Sequence, residues 1–156
     1  MNNRLRHGAV IGEAALLLQR QRDAVSDREL FRGHALTAID GKGRVAIPAA
    51  LRSVIEKNSD GRMVIIAKHQ SDPCLSGYDR GWSRLLHERL EREEDRERNA
   101  GRDFDYHNAY RRAFGLVEEV PYDTSGRFIL PAFFRAKAQL TDLAFFYGTG
   151  STFEIW

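Results

Sequence analysis

Two arginines stand in matching chemical settings. Arg44 and Arg127 each follow a turn glycine, Gly43 and Gly126, and each lies four residues after an aspartate, Asp40 and Asp123. A guanidinium can donate two parallel hydrogen bonds, which suits a phosphate or the edge of a guanine. The first turn adds Lys42, a mobile point charge for phosphates, and the second offers the hydroxyls of Thr124 and Ser125. The same residues allow an internal chemistry: each arginine could pair with its own aspartate and stitch the turn. Spacing alone leaves both readings open.

Other chemistries fare badly. The histidines at 7, 34, 69, 87 and 107 are scattered and form neither HxH nor HExxH. "GKGR" fails the phosphate-loop pattern, which needs Gly where Leu36 stands and Ser or Thr where Gly43 stands. There is no GxSxG elbow. Cys74, the single cysteine, excludes an intramolecular disulfide and a multi-cysteine metal site, and reads as a small buried hydrophobe. The sequence therefore predicts no catalytic residues, no metal, no cofactor and no small-molecule ligand. With 24 Lys and Arg against 22 Asp and Glu, the formal net charge is +2. Affinity for nucleic acid would have to come from where the basic residues cluster. No segment approaches the run of about 20 apolar residues a membrane span needs. Arg4 and Arg6 precede "AVIGEAALLL", but Glu13 interrupts that stretch and no small-x-small site follows before "QRQRD". The expectation is a soluble cytoplasmic chain with no membrane partner.

The turns sit in a duplicated frame. "IDGKGRVAIPAALR" (39–52) and "YDTSGRFILPAFFR" (122–135) agree at Asp40/Asp123, Gly43/Gly126, Arg44/Arg127, Pro48/Pro131, Ala49/Ala132 and Arg52/Arg135. Those six identities in fourteen positions exceed the roughly one that composition would give. Asp and Gly favour tight turns, so "HALTAID" and "RVAIP" read as strands joined in a hairpin. Pro48 then opens a helix with an apolar stripe at Leu51, Val54 and Ile55. Strands follow at 63–67 and 74–78. Trp82, Leu85, Leu86 and Leu90 mark a helix that continues into the mixed-charge run 91–98, and Tyr106, Tyr110 and Ala113 share a further helix face. The second copy repeats the plan with "EEVPYD", "RFIL", a helix led by Pro131 carrying Phe134 and Ala138, and strands at 143–147 and 152–156. It stops at Trp156, where its counterpart leads into a helix, so a terminal helix is either absent or cut off. Residues 1–30 form an extension expected to be flexible or loosely docked, helix-prone at 12–22. Residues 31–80 are the first repeat, 81–115 connecting helices and 116–156 the second repeat. The fold class is α+β.

Asp40 to Pro48 resembles the D-x-K-G-R-x-x-x-P signature of the MraZ family, and Asp123 to Pro131 a looser second copy of it. The likeness extends through "FRG" (31–33), "CLSGY" (74–78), the charged helix, "RRAFG" (111–115) and "FEIW" (153–156). It covers about residues 31–156; the extension before it and Ser125 in place of lysine depart from the pattern. The resemblance implies tandem SpoVT/AbrB-like repeats that interlock into one swapped-hairpin β-barrel with accessory helices. It also implies a homo-oligomeric ring, a nucleoid-associated transcriptional regulator binding direct repeats in double-stranded promoter DNA of its own division and cell-wall gene cluster, generally as a repressor. The implied DNA contacts are Lys42, Arg44, Arg127 and Ser125. Asp40, Gly43, Pro48, Asp123, Gly126 and Pro131 would shape the loops. An AbrB-like antitoxin with a toxin-binding tail, or a scaffold binding an anionic protein surface, are the alternatives.

Overall fold

A computed structural model describes residues 15–20, 22–23 and 27–156. The chain runs β1 (His34–Ala38), β2 (Arg44–Ala46), α1 (Ala49–Asn58), β3 (Met63–Lys68), β4 (Leu75–Tyr78), α2 (Arg80–Asn99) and α3 (Tyr106–Tyr110). A π-helical turn (Arg111–Gly115), β5 (Val117–Pro121), β6 (Arg127–Ile129), α4 (Ala132–Lys137), β7 (Leu143–Gly148) and β8 (Phe153–Ile155) complete it. The α+β class and both Pro-led helices are present. Pro48 (φ −52°, ψ 138°) and Pro131 (φ −56°, ψ 136°) keep extended backbone and cap their helices from outside the first turn. Leu51 and Ile55 turn inward from α1, and Phe134 from α4.

Strand pairing departs from the hairpins the turns predict. β1 pairs with β7 and β2 with β6, so neither pairs with the other, and β3 likewise takes β5. Only the turns themselves close locally, through Asp40 N–H to Arg44 O (3.0 Å) and Asp123 N–H to Arg127 O (2.9 Å). The reason is burial: crossing sets Val45 opposite Phe128, and both are nearly inaccessible. A turn composition specifies the reversal of the chain, whereas the wider apolar pattern selects the partner.

The result is an open six-stranded antiparallel sheet, β1-β7-β8-β4-β3-β5, and a separate ribbon, β2-β6. Exchanging each strand of one repeat for its counterpart in the other returns the same order, so a pseudo-two-fold axis runs between β4 and β8 and through the ribbon. The closed barrel implied by the resemblance is not found: β1 and β5 remain two separate edges. The core lies between sheet, ribbon, α1 and α4, where Phe31, Ile47, Leu51, Ile55, Phe146 and Phe153 are buried.

The connecting region differs in one detail. Tyr106 and Tyr110 stack at 4.2 Å on α3, but the helix widens to π geometry at 111–115, and there Ala113 is buried. At the other end, Glu29 N–H donates to Asn58 Oδ1 (2.9 Å), Asn58 returns a bond to Glu29 O (2.9 Å), and Arg28 pairs with buried Asp79. Residues 28–29 are thus fastened to the fold. The rest of the expected extension lies largely outside the described residues.

Candidate nucleic-acid interface

Both turns are held by one device. Asp40 Oδ1 accepts from the backbone N–H of Lys42 (2.9 Å) and of Arg44 (2.9 Å), and Asp123 Oδ1 accepts from Ser125 (2.8 Å) and Arg127 (3.0 Å). The second carboxylate oxygen takes the arginine Nε, at 2.6 Å in the first turn and 3.0 Å in the second. Hydrogen bonding to the anionic form favours it, so both carboxyls sit below their ordinary value of 3.8. The Arg44 and Arg127 backbone N–H groups are the leading cause in each turn. Gly43 (φ 77°) and Gly126 (φ 79°) adopt the left-handed backbone that closes the turn and that other residues rarely accept.

The internal pairing of arginine with aspartate therefore occurs, and it does not exhaust either arginine. Among the described residues it engages Nε alone, and the side chains of Arg44 and Arg127 remain 48% and 56% exposed. The aspartate holds each guanidinium by Nε and leaves the terminal nitrogens without a partner among the described residues.

The ribbon brings the two forks together. Its register sets Arg44 opposite Ile129 and Ala46 opposite Arg127. Residues directly opposite share a face, as do residues two apart, so Arg44 and Arg127 lie diagonally on the outer face, about 7–8 Å apart at the backbone. Val45 and Phe128 fill the inner face. Each turn is also braced by the other repeat: Leu130 N–H donates to Gly43 O (2.9 Å), and Ile47 N–H to Gly126 O (2.9 Å). A shallow depression of about 370 Å³ lies beside the forks, lined by Arg44, Tyr122, Asp123, Arg127 and Phe128. Lys42 and Ser125 are exposed at the turn tips, and Pro48 and Pro131 stand where the outgoing strands become helices.

Two further cations belong to the same surface. The Arg135 guanidinium lies behind the Gly43 turn, where a Cβ on Gly43 would meet its Nη1 at 3.0 Å. Arg52 lies behind the Gly126 turn, at 2.6 Å from such a Cβ. Each reaches across from the opposite repeat, and neither side chain has a hydrogen-bonding or ion-pair partner among the described residues. The repeat carried the signal, since Arg52/Arg135 is one of its six identities and recurs eight residues after Arg44/Arg127. Ile129, 60% exposed beside Arg44, is a further residue that sequence reasoning passed over. The near-neutral chain thus gathers Lys42, Arg44, Arg52, Arg127 and Arg135 at one end, with Asp40 and Asp123 between them.

Elsewhere, Cys74 is buried and its thiol is pushed up to about 11, first by that burial and then by Glu154 and Asp72. Among the described residues, no three His, Cys, Asp or Glu side chains gather as a metal site would require. No helix there is long and apolar enough to cross a membrane.

Residues 30–103 match the family model described as "MraZ protein, putative antitoxin-like". Several curated relatives carry the name transcriptional regulator MraZ. That of Coxiella burnetii (strain RSA 493 / Nine Mile phase I) is 35% identical over 131 residues, spanning 81% of this chain and 79% of the relative. Those of Ralstonia pickettii (strain 12J) and Syntrophobacter fumaroxidans (strain DSM 10017 / MPOB) are 34% and 32% identical over 127 residues. Both span 81% of this chain, with 82% and 78% of the relative covered.

Proposed function

The chain belongs to the MraZ family, and we propose that it is a sequence-specific DNA-binding transcriptional regulator. It binds short direct repeats in its own promoter, within a division and cell-wall gene cluster, and represses it. In this reading residues 31–80 and 116–156 are SpoVT/AbrB-like repeats that interlock by exchanging strands. Residues 81–115 connect them, residues 1–30 are an extension, and the protein works at the nucleoid. The observation that carries the DNA assignment is the β2–β6 ribbon, with Arg44 and Arg127 on its outer face. A two-stranded ribbon fits the major groove, about 12 Å wide. There the two forks match guanine edges or phosphates, and Ile129 offers apolar contact to a thymine methyl. Lys42 and the hydroxyl of Ser125 reach phosphates at the two tips, with Arg52 and Arg135 behind them adding positive potential. Asp40 and Asp123 hold the forks in orientation, so that little conformational freedom is lost on binding.

One ribbon with a few phosphate contacts binds weakly. A homo-oligomeric ring repeats the ribbon around a circle, and contacts to evenly spaced DNA repeats then reinforce one another by effective concentration. This reconciles a net charge of +2 with stable DNA binding.

The test is a gel-shift titration on the protein's upstream region across a range of salt. Arg44→Ala is expected to weaken binding about 5–150-fold, the worth of one bidentate base contact, and to leave the assembled mass unchanged. An unchanged affinity and salt slope in Arg44→Ala would refute the ribbon assignment. Failure of the intact, assembled protein to shift this DNA in preference to unrelated DNA would refute the regulator reading.

A further inference from the structure

Lys68 ends β3, and Arg111 and Arg112 open the π-helical turn. The three side chains line one depression of about 410 Å³, together with His69 and Leu116. A second depression, of about 360 Å³, adjoins it, with Lys68, His69, Gln70 and Arg112 as walls common to both. Its other walls include Ser76, Tyr78, Trp82, Leu86 and Ala113. A cationic compartment therefore opens beside a mainly apolar one. Among the described residues, neither the Arg111 nor the Arg112 side chain has a hydrogen-bonding or ion-pair partner, and Lys68 Nζ donates only to His69 O (3.2 Å).

The walls are not fully used by the fold. Tyr78 is 4% exposed, and its hydroxyl has no hydrogen-bonding partner among the described residues. Burial pushes that hydroxyl up to about 12, so it remains a donor at neutral pH. Buried polar groups are ordinarily paired, and a donor in the wall of a cavity can be paired by what fills it. His69, by contrast, is already committed. Its Nδ1 accepts from the backbone N–H of Ser71 (3.3 Å) and Asp72 (2.9 Å), which leaves the proton on Nε2, 3.7 Å from Glu154 Oε1. Nor does the fold require cations here. The second repeat joins β7 to β8 through Thr149–Thr152, with Gly148 in the place of Lys68 and no charged residue. The π-helical widening that carries Arg111 and Arg112 is a feature that recurs at functional sites.

We propose that the double depression binds a small phosphate monoester carrying a ring or other apolar body. Two arginine forks and a lysine suit a group with more than one negative charge and several acceptor oxygens. The body lies against Tyr78 and Leu86, and the Tyr78 hydroxyl donates to the ester oxygen. Each compartment falls within the range of about 300–1,000 Å³ usual for small-molecule sites. Inorganic phosphate leaves the apolar compartment unfilled, and a carboxylate brings a single charge. The sequence predicts no small-molecule ligand because Lys68, Tyr78 and Arg112 meet only through the fold. The site shares no residue with the ribbon and does not depend on DNA.

The test titrates phenyl phosphate into the full chain without DNA by isothermal calorimetry, beside inorganic phosphate, phenol and benzoate. Phenyl phosphate is expected to bind with a Kd of about 1 mM or tighter. The other three are expected to bind about 10-fold more weakly or not at all. Equal affinity for phenyl phosphate and inorganic phosphate would reduce the site to a basic patch and overturn the proposal, as would no binding of phenyl phosphate. Arg112→Ala is expected to weaken phenyl phosphate about 10-fold or more, and Tyr78→Phe about 2–10-fold. Two unchanged affinities would sink the site. Gel shifts of Arg112→Ala on the upstream DNA are expected to match the parent. A loss there with phenyl phosphate binding intact would assign the arginine to DNA and overturn the proposal. Arg44→Ala is expected to keep phenyl phosphate while losing DNA, so the two readings fail separately.

Discussion

Where the two repeats are compared bond by bond, the turns agree and their surroundings do not. Asp40 and Asp123 bind the same backbone N–H groups, Gly43 and Gly126 share one conformation, and each glycine carbonyl is bonded by the other repeat. The tips then diverge, with Lys42 in one turn and Ser125 in the other. Parts that fix the backbone are shared because a pseudo-two-fold packing needs both. Parts that face solvent carry no such demand and are free to differ.

The largest expected effect lies at the end of the first repeat. Asp79 is fully buried and caps α2 by accepting from Trp82 N–H at 3.0 Å, with Arg28, 10% exposed at its side chain, as its ion-pair partner. Asp79→Ala leaves the Arg28 charge without its partner in a confined site. Removing one partner of such a pair costs about 3–5 kcal/mol. In a chain this size that corresponds to a melting temperature lower by roughly 6–20 °C. Asp123→Ala, at an exposed pair in the second repeat, is expected to lower the melting temperature far less, because solvent screens that ion pair. Equal melting of the two variants would mean that the Arg28–Asp79 clamp does not anchor the start of α2.

The clamp also shows where sequence reasoning stops. Helices led by Pro48 and Pro131, strands at 63–67 and 143–147 and the charged helix are all legible, because each is written in local apolar periodicity. Partner choice is not: β1 with β7 and β2 with β6 depend on which apolar rows meet across the core, as Val45 and Phe128 do. Arg44 and Arg127 stand out as chemistry without showing that they share a face, which follows from register. Arg52 and Arg135 carried a signal in the repeat, but their place behind the opposite turn is tertiary. Asp79 gives almost no signal, since an aspartate before a helix is usually an exposed cap and only packing reveals this one as buried.

A smaller effect probes the tips directly. A lysine near phosphate acts as one released counterion, so Lys42→Ser is expected to reduce the salt slope of DNA binding by about 1 and to weaken binding across sequences. Ser125→Lys is expected to do the reverse, and the double exchange to restore a slope near the original. Gel shifts at several salt concentrations read all three. If Lys42→Ser binds as the parent does while Ser125→Lys binds more tightly, the second turn is the one that approaches phosphate, and the ordering of the two tips is inverted.

The smallest effect concerns acid. A carboxyl whose pKa is lowered on folding contributes stability above its unfolded value, and that contribution is lost as pH falls through the lowered folded value. For Asp40 and Asp123 the loss therefore begins below about pH 3.8. Both groups are solvent-exposed, so the change in melting temperature is small. Asp40→Asn and Asp123→Asn keep an acceptor for the turn N–H groups but lose the charge. Each variant is expected to melt slightly below the parent at neutral pH, with the gap closing in acid. The turns should differ in what holds the carboxyl down. After the backbone bond, the Arg44 side chain is the next lowering influence on Asp40, whereas on Asp123 the Ser125 N–H precedes the Arg127 side chain. Because the Arg44 Nε bond is also the shorter, at 2.6 against 3.0 Å, Arg44→Ala is expected to raise Asp40 more than Arg127→Ala raises Asp123, which carboxyl NMR titration measures. Equal rises would show that both aspartates serve the backbone first, and that aiming the arginine fork is incidental to the turn.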